Sequence, residues 1–508
     1  MMYQEVRSGI VYGVAGQLIH VEVEIRNGLP YFTMVGYLSK EAAEAKERVA
    51  SALRSIGHPL PSMKITVNLS PANIRKSGTA FDFPIAVAFL ACLGLIPSKK
   101  LNEICILGEL GLNGMIRGVG KCLPIILEAR KQGIHRFFVA EEDRKSLDEI
   151  KNTEIIFMKK LEDVIEYFQG TLVQDYQVRS DIWKPENSLE NFSDLRGQQH
   201  LKRAIEIAVT GRHHLLIVGS PGSGKTMAVR RIPSILTALN DEERLEVQSI
   251  YDAAGIPRDI RDYRRPFRSP NASISKAAFL GGGKDPRAGE LTLSNYGVLF
   301  MDEMMDFRSE CLEAIKQPLE EKKIQMNRLG KSITFPADFQ LIGVMNPCPC
   351  GYGLEDGKCR CSYYEKRRYL KKLSGPLLDR FDMILSAVEQ SKGVKQELAE
   401  SSEEIAKRVK NHIKQEQKML AGTEYHFFSE IHSSDIKKIC PVSKECMEIL
   451  NIAYDLKKIT KRGMDKIIRL SKTIALIEEK DKIAPQHIME ALAFRDTSFL
   501  NEVMEYGR

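Results

Sequence analysis

The stretch HLLIVGSPGSGKTMAVRRI, His214 to Ile232, constrains this chain more than any other. Four apolar residues, LLIV, lead into a glycine-rich turn, and a pattern of helical period follows. Gly219, Gly224, Lys225 and Thr226 stand in the full G-x-x-x-x-G-K-[ST] spacing. That spacing has a use only at the end of a buried strand, where a helix begins. There the loop Gly219-Ser220-Pro221-Gly222-Ser223-Gly224 can wrap backbone N–H groups round the phosphates of ATP. Lys225 would reach the β/γ oxygens and the Thr226 hydroxyl would ligate Mg²⁺. A parallel α/β sheet is therefore expected, and Pro233 is expected to kink or end the helix after the loop.

Further buried strands complete the centre. YGVLFMDEMMDF places Asp302 and Glu303 directly after VLFM, so Asp302 would hold Mg²⁺ through water and Glu303 would polarise the attacking water. FQLIGVMN is a third apolar strand whose polar end, Asn346, would orient water near the γ-phosphate. SGPLLDRFD carries Arg380, suited to stabilising transition-state charge in a neighbouring subunit's site; a solvated arginine is the plainer alternative.

At 508 residues the chain exceeds what one core serves, so several domains are expected. Residues 1–170 mix alternating strands (HVEVEI, KITVNL, HRFFVA) with helical stretches and read as an α+β domain. Residues 171–192 turn polar and read as a linker; 193–388 hold the ATPase core, and 389–508 are helical by period. Ser401, Ser402 and Glu404 offer a capping box there. The longest apolar run, AVAFLACLGLI, is too short to cross a bilayer and suits a core helix. The segment MMYQEVRSGIVYG lacks the pattern of a secretory signal, and ten cysteines without one point to reduced thiols and a cytoplasmic protein. A net charge of +7 permits nucleic-acid binding without implying it.

In MNPCPCGYGLEDGKCRC, Cys348, Cys350, Cys359 and Cys361 form two C-x-C pairs, and four thiolates so spaced can enclose one ion. Structural Zn²⁺ is the first expectation; an iron–sulfur cluster and unliganded thiols stay open. The other six cysteines lie among apolar residues and are expected to pack.

IPRDIRDYRRPFR sets Arg258, Arg261, Arg264, Arg265 and Arg268 beside Tyr263 and Phe267, in the insert between the two acidic and glycine-rich motifs. Such a loop suits phosphate contacts and base stacking on DNA; a solvated face partly neutralised by Asp259 and Asp262 is the alternative. YYEKRRYLKK, Tyr363 to Lys372, is a second basic and aromatic patch.

These motifs, in this order, resemble the magnesium-chelatase-like AAA+ ATPases of the YifB/ComM family almost end to end. GLPYFTMVG, ITVNLSPANIRKSGTAFDFPIA, GSPGSGKT, RRPFRSP, LGGGKDPRAGELTLSNYGVLFMDE, MNPCPCGYG and LSGPLLDRFD carry the likeness. It implies an α/β P-loop AAA+ core with a Lon-protease-like N-terminal domain and a C-terminal helical lid. It also implies Walker A and B motifs, Asn346 as sensor 1, Arg380 as an arginine finger and a homo-hexameric ring. Arg462 matches the sensor-2 arginine, with Arg469 as competitor. Proteins like ComM are ring helicases that drive branch migration of recombining DNA, so DNA is the partner implied. A chelatase-type motor remodelling a protein, and an adaptor that binds proteins through its N-terminal domain, are the alternatives. In the Lon-like region Ala80 and Leu123 stand where the catalytic serine and lysine would be, which implies a protease shape without protease chemistry. Ser77 and Lys121 lie close enough for a shifted dyad to stay open. Asn271-Ala272 stands where the family pattern has two histidines.

Overall fold

The computed structural model describes residues 1–76, 78–147, 150–173, 190–283, 286–328, 331–355, 357–387, 400–456 and 459–495. Most of the expected linker, the 388/389 boundary and Ser77 lie outside the described residues. The chain forms two units: residues 1–184 with 241–262 and 283–288, and residues 185–240 with 263–282 and 289–508.

In the first unit a seven-stranded sheet runs in the order β3-β4-β2-β1-β5-β6-β7. Its strands are β1 (Met2–Tyr12), β2 (Ala15–Arg26), β3 (Tyr31–Val35), β4 (Lys64–Ser70), β5 (Ile104–Leu107), β6 (Arg136–Ala140) and β7 (Glu154–Met158). The alternation of HVEVEI becomes half-buried β2, antiparallel to β1 and β4. The apolar run becomes the helix Asp82–Cys92, buried at every residue. Its first residue is the exception in chemistry: Asp82 is sealed in the core and receives Arg48 Nε at 2.5 Å and Nη2 at 3.1 Å. Burial pushes Asp82 up to about 6, against the pull of Arg48.

Residues 241–262, which the sequence places inside the ATPase region, belong to this unit. The helix Asp241–Ala254 packs on the helix Cys122–Lys131, and Leu245 and Ile260 join a core with Leu123, Ile126 and Phe137. Asp252 accepts the Leu123 N–H at 3.0 Å, satisfying a donor at the start of that helix. Leu123 is fully buried, and Ala80 brings no nucleophile.

The second unit is built on a parallel sheet in the order β9-β10-β11-β8-β12. Its strands are β8 (Leu215–Gly219), β9 (Phe267–Arg268), β10 (Val298–Met301), β11 (Gln340–Met345) and β12 (Met383–Ala387). Gly219 is required by close approach, because a Cβ there would strike the Ala387 carbonyl. After the loop the helix runs only from Lys225 to Arg230 and gives way to a 3₁₀ turn at Ile232–Ser234, the stop expected of Pro233. The helices Ser402–Met419, Lys444–Asp455, Lys461–Ile477 and Pro485–Ala493 share one core with this sheet. Ser401 and Glu404 close the expected capping box.

Arg48→Met should leave Asp82 buried without its cation and lower stability by about 3–5 kcal/mol. Asp82 has a raised folded pKa, so its neutral form suits the fold below about pH 4 and the cost accrues as pH rises through about 6. The difference in melting temperature between variant and wild type should thus be larger at pH 8 than at pH 5. An equal difference at both would contradict the assignment.

Candidate nucleotide site and thiol loop

The parallel register brings the ends of β8, β10 and β11 together: Val218 pairs with Met345, and Met301 with Gly343. The residues that follow these strands therefore meet at one edge. Thr226 Oγ1 donates to Asp302 Oδ1 at 3.0 Å, joining the phosphate loop's helix to the acidic strand end. Lys225 Nζ donates to the carbonyls of Gly219 and Ser220 at 2.7 and 2.6 Å and reaches Ser223 Oγ at 3.3 Å. Burial lowers its pKa, with Asp302 opposing. Glu303 is exposed and sits at φ 48°, a left-handed conformation uncommon for a side-chain-bearing residue. Its N–H donates to Asp302 Oδ1 at 3.1 Å. Asn346 follows β11, half-buried.

The loop after Asn346 rests on the phosphate loop. Gly351, at φ 86°, lies where a Cβ would be 2.6 Å from Cδ and Cγ of Pro221. Glu355, in the same loop, pairs with Lys358 at 2.5 Å, and that contact holds its carboxyl below the ordinary range. Neither contact was legible in the sequence.

The same loop gathers Cys348, Cys350, Cys359 and Cys361 with all four sulfurs within 4.8 Å of one another. Cys348 Sγ lies 3.3 Å from Cys350 Sγ and 3.8 Å from Cys359 Sγ, and Cys350 and Cys359 are 3.7 Å apart. A tetrahedral ion with sulfur at about 2.3 Å needs sulfurs about 3.8 Å apart, a spacing met by two of these pairs, so the set is compatible with Zn²⁺. The Tyr352 and Arg360 N–H groups pull the Cys350 thiol down to about 6, while burial pushes its neighbours Cys348 and Cys361 up. The remaining cysteines, Cys92, Cys105, Cys122, Cys311, Cys440 and Cys446, are buried.

The helix Tyr363–Leu370 begins directly after Cys361, fixed by the Ser362/Glu365 capping box. Its Tyr369 turns inward. Burial pushes the Tyr369 hydroxyl above its ordinary range, with Asp306, Cys348 and Glu303 adding and the Asn346 N–H opposing. Lys372 Nζ donates to the Met305 carbonyl at 3.0 Å, two residues from Glu303.

Arg380 lies elsewhere. It lines a cleft of about 660 Å³ with Glu320, Arg462, Asp465, Lys466 and Arg469, and no phosphate-loop residue borders that cleft. Arg380 Nη2 pairs with Glu320 at 2.5 Å, yet the buried Nε atoms of Arg380 and Arg469 find no hydrogen-bond partner. Lys466 fixes the arrangement: it pairs with buried Asp382 at 2.9 Å and donates to the Arg380 and Phe381 carbonyls at 3.0 and 3.2 Å. Burial alone would raise Asp382; Lys466, His213 and His214 hold it well below the carboxylate range. Sequence reading missed this pair, since an aspartate and a lysine so far apart carry no local signal.

In the arginine-rich insert most of the guanidinium groups have partners within the fold. Arg258 Nη2 lies 3.5 Å from Asp262 and its guanidinium sits over the Tyr251 ring. Arg261 makes a two-pronged pair with Asp259 at 3.0 and 2.9 Å. Arg265 donates to the carbonyls of Thr237 and Tyr296 at 3.0 and 2.8 Å. Arg268 sits in β9 and binds both Glu290 oxygens at 2.8 Å. Arg264 alone of the five is classed by its surface as exposed. The insert is also divided: Arg258 and Arg261 fall in the first unit, Arg264, Arg265 and Arg268 in the second. Arg258, Arg261, Arg265 and Arg268 are thus engaged with neighbouring groups of the fold.

Three family models match this chain: magnesium chelatase, subunit ChlI, over residues 191–395; subunit ChlI of Mg-chelatase over 21–143; and the ChlI C-terminal model over 399–495. YifB of Salmonella typhimurium is 35% identical over 95% of each chain. Competence protein ComM of Haemophilus influenzae is 34% identical over 95% of each chain. The chain belongs to the magnesium-chelatase-like YifB/ComM family. It is accordingly an AAA+ ATPase, with a mixed α/β fold and a helical C-terminal region. Lon protease of Trichlorobacter lovleyi is 25% identical over 31% of this chain and 21% of its own, which gives the family's Lon-like segment. Among the described residues no helix is long and apolar enough to cross a membrane.

Gly351→Ala should push the thiol loop off Pro221, at a cost of about 1–3 kcal/mol in overpacking and backbone strain. Thermal melts with and without Mg-ATP test this. The gain in melting temperature on adding Mg-ATP should shrink in the variant; an undiminished gain would contradict a link between the loops.

Proposed function

We propose that this chain is an ATP-driven ring motor that acts on DNA, moving single-stranded or branched substrates. The continuous match to a protein named for competence, over 95% of each chain, carries the reading, because it covers far more than an ATPase core alone. In this motor Lys225 and Thr226 bind the β/γ-phosphates and Mg²⁺, Asp302 holds the ion, Glu303 polarises water and Asn346 orients it. Arg380 acts on the nucleotide of a neighbouring subunit in a homo-hexamer. Its cleft, apart from the phosphate loop and shared with Arg462 and Arg469, supports a joint role for these cations across the interface. The four cysteines hold a structural Zn²⁺ that stiffens the loop between Asn346 and Arg380; the sulfur spacing supports this choice. ATP and Mg²⁺ are the other cofactors. The family's chelatase name favours a second reading, a motor that remodels a protein partner.

A branched DNA carrying a fluorescent strand tests the motor directly. Strand release should require Mg-ATP and fail with a non-hydrolysable analogue; no release under any nucleotide condition would favour the chelatase-type reading.

Glu303→Gln should bind ATP normally and hydrolyse it about 100-fold more slowly, whereas Lys225→Ala should lose binding. Arg380→Ala should keep affinity but lose turnover, and mixed rings with Lys225→Ala should recover part of it. Verified mixed rings without recovery would contradict an arginine acting between subunits.

Purified protein should contain about one zinc per chain, lost together with ATPase rate in Cys348→Ser/Cys350→Ser. Elemental analysis that finds neither zinc nor iron would remove the metal.

A further inference from the structure

We infer that the outer face of the helix Tyr363–Leu370 is the surface on which the motor grips a single DNA strand; this rests on the DNA-motor reading above. Tyr364, Arg367, Arg368 and Lys371 stand at i, i+3, i+4 and i+7, one face of the helix and its first following residue, and all four are exposed. Tyr364 is 72% exposed. None of the three cations has a hydrogen-bonding or ion-pairing side-chain partner among the described residues, in contrast to Arg258, Arg261, Arg265 and Arg268. The helix's one acidic residue is committed: Glu365 Oε2 accepts from the Ser362 N–H and hydroxyl, both at 2.8 Å. Among the described residues no acidic side chain pairs with the cations of this face.

The chemistry selects the partner. Between residues 350 and 372 the exposed large apolar side chains are Tyr352, Tyr363 and Tyr364, all aromatic rings, with no aliphatic side chain among them. Three cations on one face without a side-chain ion-pair partner among the described residues favour a polyanionic partner. Aromatic rings beside cations suit a strand whose bases stack while its phosphates are neutralised. Tyr364 to Lys371 spans about 10 Å along the axis, about three nucleotide rises of one strand.

The opposite face gives the contact a consequence. Tyr369 lies within electrostatic reach of Glu303, and Lys372 holds the Met305 carbonyl. The metal loop anchors the helix at one end through Cys361 and Ser362. A strand pulling on the outer face thereby loads the backbone beside the catalytic carboxylate.

Fluorescence anisotropy of a labelled single-stranded oligonucleotide, over a series of salt concentrations, tests this on the full chain. The variant Arg367→Ala/Arg368→Ala/Lys371→Ala should bind at least tenfold more weakly at physiological salt. Its log–log salt slope should fall by about 2, from three contacts at about 0.7 each. Tyr364→Ala should weaken binding about tenfold with the slope unchanged. A control with equal charge loss on another exposed helix, Lys407→Ala/Lys410→Ala/Lys414→Ala, should bind as wild type does. All variants should keep the DNA-free ATPase rate, and the patch variants should lose its stimulation by DNA. Wild-type affinity and slope in the patch triple, or an equal loss in the control, would overturn this surface and leave the motor reading standing. Wild-type protein that binds neither single-stranded nor branched DNA would overturn both.

Discussion

Gly351 lies so close to Pro221 that one added carbon would sit 2.6 Å from the proline ring, and this approach ties the thiol loop to the phosphate loop. A loop of glycines and polar residues has little apolar area with which to hold itself in place. In the proposed motor an ion at the four sulfurs supplies that rigidity, and the rigidity reaches three places. One is the phosphate loop, through the approach of Gly351 to Pro221. Another is Asn346, which the loop directly follows. The last is the helix Tyr363–Leu370 and the turn after it, where Lys372 binds the Met305 carbonyl and Tyr369 lies within electrostatic reach of Glu303.

The second unit's C-terminal helices are fastened to the same sheet by a different device. Lys466 reaches from the helix Lys461–Ile477 to Asp382 and to the carbonyls of Arg380 and Phe381. A buried ion pair of this kind stabilises little in net terms, because desolvation offsets the attraction. Its value is geometric: it ties the helix Lys461–Ile477 to the backbone at Arg380 and Phe381. The orphaned Nε atoms of Arg380 and Arg469 then mark a cleft with donors to offer an anion.

Local pattern made much of this legible. Strand period, a complete phosphate-loop spacing and a proline stop are each encoded within a few residues, and β8, its loop and its short helix follow from them. The buried helix Asp82–Cys92, which takes up most of the apolar run, and the Ser401 cap were equally local. What escaped was non-local. IPRDIRDYRRPFR reads as a cationic loop until Glu290, Thr237 and Tyr296 arrive from elsewhere in the fold. The packing of Asp241–Ala254 on Cys122–Lys131 joins residues more than a hundred positions apart, and no period or cap announces it. The two faces of YYEKRRYLKK were hidden for the same reason: its composition shows charge, but only the fold shows which tyrosine turns inward.

ATP hydrolysis by the wild-type protein, measured with and without single-stranded DNA at fixed salt, bears most directly on the claim that a DNA surface and the ATP site are coupled. Turnover should rise severalfold on adding DNA and should saturate as binding does. A rate unchanged by DNA that is demonstrably bound would contradict the coupling between the helix Tyr363–Leu370 and Glu303.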